Sequence, residues 1–100
     1  MLYYTQLIFV KEGQEAVFQS FEEKVLPLLE SHHGELLLRV RPSDSSIIAA
    51  TFDKPYEIHL VSFRSREDFE TYRDDPQRIQ HMHLKDQSVS RMILIEGKAL

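Results

Sequence analysis

The sequence predicts a single α+β domain made of two strand–helix–strand halves. Two observations predict it. The spacing of apolar residues switches between alternation and a helical period several times along 100 residues. The switches fall at turn formers: Gly13, Gly34, the Pro42–Pro55 stretch, Asp75-Pro76 and Gly97. A chain of this length has room for one domain, and it buries only about two-thirds of the surface its unfolded form exposes.

The elements follow in order. Leu2 to Val10 mix aromatic and β-branched residues with alternating polarity, a strand pattern. From Gln14 the period becomes helical, with Val17, Phe18, Phe21, Val25, Leu28 and Leu29 on one stripe. Glu15, Gln19, Glu22, Glu23 and Lys24 are expected on the opposite, wet side. Pro27 sits inside this stripe and predicts a kink or a tightened last turn rather than a stop. Gly34 is expected to close the helix as a left-handed cap, with His32 and His33 favourably placed at its negative end. Glu35 to Arg41 alternate again. Pro42 to Ser46 is a turn cluster, and Ile47 to Phe52 reads as a short strand or hairpin arm able to pack on a partner. Tyr56 to Phe63 is the clearest strand. Ser65-Arg66-Glu67-Asp68 resembles a capping box that opens a second helix carrying Phe69 and Tyr72, and Asp75-Pro76 restarts it toward Ile79 and Met82. Arg91 to Glu96 is the last strand.

The order strand, helix, strand, strand, helix, strand is the split βαβ arrangement of ferredoxin-like folds. Right-handed crossovers then give an antiparallel four-stranded sheet in the order 4-1-3-2, with both helices on one face. Parity offers two faces. Tyr3, Thr5, Leu7 and Phe9, with Leu36, Leu38, Val40, Ile58 and Leu60, are expected beneath the helices. Tyr4, Gln6 and Ile8, with Leu37, Arg39, Arg41, Glu57, His59, Val61 and Phe63, are expected on the other face, half apolar and half charged. Such a face is not left bare to water. A homodimer joined sheet to sheet, through Ile8, Leu37, Val61 and Phe63, would cover it and enclose a cavity.

Several segments carry a resemblance. Val25-Leu26-Pro27-Leu28-Leu29, Gly34-Glu35-Leu36-Leu37, Val61 through Phe69 with Tyr72 and Asp75-Pro76, and Ile95-Glu96-Gly97 resemble the dimeric α/β barrel superfamily. Within it the chain is most similar to the bacterial domain-of-unknown-function thirteen-thirty group. The matching motifs are punctuation and packing, so the resemblance implies a fold and a dimer more than a chemistry. The wider superfamily includes cofactor-free oxygenases, chlorite dismutase-like haem proteins, muconolactone isomerase-like enzymes and ligand-sensing domains, and function stays open among them.

Composition narrows the function classes. Hydrophobic residues make up 42% and charged residues 28%, which suits a globular domain. A formal charge of −4 leaves no basic footprint, so no nucleic-acid partner is expected. No apolar run approaches the ~18 residues of a membrane span, so no membrane partner is expected. The first residues show no basic region ahead of an apolar stretch, which makes a cytoplasmic location the expectation. Cysteine is absent, which removes disulfides, thiolate metal sites and cysteine nucleophiles. With only three glycines there is no phosphate-cradling loop. His81 and His83, like His32 and His33, are spaced so that neither pair grips one ion from a single face, and no metal is expected. A single candidate histidine without a surrounding signature gives no reason to expect haem or another cofactor.

His59 remains the leading candidate. It lies mid-strand between Gln6 and Arg39 on the neighbouring strands, with Tyr4 nearby. An imidazole between a carboxamide and a guanidinium suits an anionic or aromatic ligand, with Tyr4, Gln6, Arg39 and His59 as the binding set and His59 able to move a proton. The alternatives are a cofactor-free oxygenase- or isomerase-like enzyme using His59 for proton transfer, and a structural dimer whose polar residues are satisfied within an interface. For Arg41 and Glu57, ion pairing across strands is the expectation.

Overall fold

The computed structural model describes residues 1–100. Its elements run β1 (Leu2–Val10), α1 (Glu15–Val25), a 3₁₀ stretch (Leu26–His32), β2 (Gly34–Val40), β3 (Glu57–Phe63), α2 (Arg66–Arg73), α3 (Pro76–Ile79), α4 (Met82–Ser88) and β4 (Val89–Gly97). The strands form one open antiparallel sheet in the order β2-β3-β1-β4, with the helices on one face, the ferredoxin-like arrangement. The molecule is a slab, 36 × 35 × 17 Å, thick enough for one sheet and one helix layer.

The local signals act largely as read. α1 buries Phe18, Phe21, Glu22 and Val25, the i, i+3, i+4, i+7 stripe of an amphipathic helix. Pro27 does not stop the chain from coiling; it falls in the first turn of the 3₁₀ stretch, so Leu28 and Leu29 stay helical in a tightened path. The left-handed residue closing this stretch is His33 (φ 57°), not Gly34. Gly34 opens β2 and is needed for space: a Cβ there would lie 2.7 Å from the Phe63 ring and 3.0 Å from Leu29. Ser65 caps α2 by accepting from the Asp68 amide at 3.2 Å. Asp75 caps α3 by accepting from the Gln77 amide at 2.8 Å. Residues 47–52 form neither strand nor hairpin. They follow a short 3₁₀ turn at Asp44–Ser46 and carry Phe52 back against Phe9.

The two faces of the sheet are the reverse of the sequence expectation. Tyr4, Ile8, Val61 and Phe63 are nearly fully buried under the helices; Tyr4, Val61 and Phe63 pack with Leu29 and Tyr72, and the Phe69 ring stacks on Tyr4. The same face carries Gln6, Glu57 and His59. The bare face holds Tyr3, Thr5, Leu7, Ile58, Leu60, Ile93 and Ile95, joined by Leu38 and Val40. An irregularity between Leu36 and Leu38 splits the β2 set: Leu36 pairs with Val61 on the helix side, Leu38 with Leu60 on the open side. Both faces are apolar enough to be a core, so polarity alone favoured the wrong one. The deciding feature is that the charged residues neutralise one another beneath the helices.

Candidate functional site

The cross-strand row read from parity is present. Gln6 of β1 pairs with His59 of β3, and Arg39 of β2 pairs with His59 from the other side. Its location is corrected: the row lies between sheet and helices, not on the bare face where a partner would enclose it.

Glu57 organises the row and is wholly buried. Its carboxylate accepts from Arg39 Nε (2.7 Å) and Nη2 (3.0 Å), from Arg41 Nε (2.7 Å) and from His59 Nε2 (2.7 Å). Burial pushes its pKa up, but these donors outweigh it and hold the group at about 2. The ion pairing expected for Arg41 and Glu57 is therefore present, and Arg39 joins it. The Arg39 guanidinium is spent on Glu57 rather than free for a ligand.

With Glu57 ionised, His59 donates through Nε2 and presents a bare lone pair at Nδ1. Burial lowers the imidazole pKa against the pull of Glu57, so the ring is neutral. Nδ1 lies 3.9 Å from Glu22 Oε2. Glu22 is 5% exposed, and its carboxyl makes no hydrogen bond within the chain. Burial raises its pKa to about 7, with Arg39, Arg78 and Lys85 pulling down and Glu57 pushing up.

These groups edge a cavity of about 50 Å³ between β1, β3, α1 and the α3–α4 segment. That volume admits a few waters or one compact molecule. Its polar lining is Gln6, Glu22, His59, Arg78 and Lys85; the rest is apolar, including Phe18, Phe21, Val61 and Met92. Arg78 lies over the Phe21 and Tyr72 rings, and its buried Nε–H has no acceptor. The Lys85 ammonium has no partner either, and burial lowers its pKa.

Tyr4 does not join this site. It sits in the core, and its hydroxyl donates to Glu96 Oε1 at 2.8 Å. Burial, then the Glu96 carboxylate, raises its pKa to about 12. Glu96, also held by Arg66, is thereby placed on the helix side of β4 at the far end of the sheet.

Sequence reasoning missed Glu22, Arg78 and Lys85. For Glu22 a signal existed: position 22 completes the i+4 place of the Phe18–Phe21–Val25 stripe, where a solvated carboxylate does not belong. Arg78 and Lys85 lie on short helices with no long apolar stripe to orient them. No three histidine, aspartate or glutamate side chains converge in a metal-holding arrangement.

No family model and no curated protein matches the chain. Solved structures of similar fold are plentiful. A protein of unknown function from Rhodopseudomonas palustris superposes with a TM-score of 0.85 at 13% identity, over 99% of this chain and 82% of its own. A dimeric protein of unknown function and ferredoxin-like fold from Bacteroides fragilis gives 0.71 at 10% identity, over 98% and 95%. A Nitrosomonas europaea protein proposed to be an antibiotic biosynthesis monooxygenase gives 0.73 at 10%, over 100% and 99%. At these identities the likeness establishes the ferredoxin-like fold alone. No match supports the narrower thirteen-thirty group, and the sheet of a single chain is open rather than a barrel.

Proposed function

We propose that the protein is a homodimer that binds a small molecule in the cavity beneath the helices of each subunit. The observation that carries the ligand reading is the buried Arg78 Nε–H, which has no acceptor and shares the cavity lining with the Glu22 carboxyl and His59. Buried polar groups are normally hydrogen-bonded, and an unmade bond costs about 1–3 kcal/mol unless something in the cavity completes it. Gln6 and His59 keep the roles read from the sequence; Arg39 positions Glu57 instead of touching the ligand, and Tyr4 is left to the core. The dimer reading rests on the bare apolar face, and the dimeric Bacteroides fragilis neighbour supports it.

A second reading, acid–base catalysis, draws on Glu22 with a pKa of about 7 beside a neutral imidazole. Glu22 would carry the proton and His59 would hold or relay it.

The test is a panel of compact neutral and ionic compounds titrated into ¹⁵N-labelled protein. The expected result is at least one compound that moves the amides of Gln6, Glu22, His59 and Val89 together. A panel that leaves all four unmoved overturns the ligand reading.

A further inference from the structure

The cavity's unmet hydrogen bonds are of two kinds. Arg78 Nε–H is a cationic donor without an acceptor, and the Lys85 ammonium is a second free cation on the same lining. On the same lining, His59 Nδ1 lies 3.9 Å from Glu22 Oε2, too far for a hydrogen bond, and makes none elsewhere in the chain. Glu57 does not offset the two cations, because Arg39, Arg41 and His59 already occupy it. A ligand that satisfies this set carries both an anion and a hydrogen-bond donor.

We infer that the site takes a small carboxylic acid bearing a hydroxyl. Its carboxylate sits against Arg78 and Lys85, and its hydroxyl donates toward His59 Nδ1. The inference rests on the ligand-binding reading above and adds the chemical class. The apolar walls from Phe18, Phe21, Val61 and Met92 leave little room beyond a compact acid. The volume has the same consequence: about 50 Å³ does not admit a fused ring system without the helices moving.

The charge balance at the site adds a pH signature. Arg39 on β2, Glu57 and His59 on β3, Tyr72 on α2, Arg78 on α3 and Lys85 on α4 are the charged and titratable groups around Glu22. Below about 7 Glu22 is protonated and does not repel a carboxylate; above it, a second negative charge stands beside the ligand.

Glycolate, acetate and glycolamide separate the possibilities, read by amide shifts at Gln6, Glu22, His59 and Val89. At pH 6 glycolate is expected to bind at least tenfold more tightly than glycolamide, with acetate between them. Lys85→Met, or Lys85→Gln if the methionine variant folds poorly, should weaken glycolate at least tenfold and leave glycolamide unchanged. Raising the pH from 6 to 8 should weaken glycolate for the wild type but much less for Glu22→Gln. Glycolamide binding as tightly as glycolate overturns the inference and leaves the ligand reading intact. Equal glycolate affinity in the wild type and the Lys85 variants also overturns it. Failure of all three probes while another compound of the wider panel occupies the cavity sinks the acid class alone; failure of the whole panel sinks both.

Discussion

Glu57 and Glu22 are two buried carboxyl groups driven in opposite directions. Glu57 is surrounded by three donor side chains and held at about 2; Glu22 has none and is raised to about 7. Glu57→Gln should therefore destabilise the fold by about 3 kcal/mol, the lower end for breaking a buried pair, because the half-exposed arginines can turn to water while His59 cannot. Urea denaturation at pH 7 measures it. The Glu57 contribution is fully present above the ordinary carboxylate range and is lost as pH falls toward about 2. For Glu22 the sign reverses. The folded state holds its proton up to about pH 7 while the unfolded chain releases it near 4.5, so this group costs stability as pH rises between them. The stability of Glu22→Gln relative to the wild type should accordingly increase across pH 4.5 to 7. A difference that stays flat would mean Glu22 is solvated.

At the scale of elements, most of the fold was legible. The strand–helix order, the sheet order, the Ser65 and Asp75 caps and the tolerance of Pro27 all follow from local chemistry that tertiary packing did not override. Gly34 shows where local reading stops. Its role is close packing against Phe63, a residue 29 positions away, and no turn signal encodes that distance. Gly34→Ala should cost about 1–3 kcal/mol through overpacking against that ring, whereas loss of the Ser65 cap in Ser65→Ala should cost about 1 kcal/mol. Thermal unfolding of the two variants checks the ranking; an equal or smaller loss for Gly34→Ala would mean that the Phe63 ring gives way freely.

At the scale of the whole molecule, parity identified which residues share a face, except across the Leu36–Leu38 irregularity, but not which face is covered. Parity joined Gln6, Arg39 and His59 correctly, since their strands are neighbours in register. The assignment then failed because this sheet has two apolar faces. Leu7, Ile58, Leu60, Ile93 and Ile95 look like a core because they form a surface that, in our reading, another copy covers. The charged row looks like a surface because the sequence shows one ion pair, Arg41 with Glu57, and not that Arg39 and His59 also converge on a buried Glu57. The dimer prediction moves accordingly from Ile8, Leu37, Val61 and Phe63 to the open face. Leu60→Asp is expected to halve the mass seen by light scattering at micromolar concentration, from twice 11.8 kDa to 11.8 kDa. A wild type that is already monomeric would remove the dimer. Whether the polar row faces inward to a cavity is decided by the ring-nitrogen NMR spectrum of His59 as a function of pH. The ring should stay neutral, protonated at Nε2, below pH 6.5, where an exposed imidazole is about half charged. A ring half protonated at that ordinary pH, with both nitrogens open to solvent exchange, would contradict the inward placement.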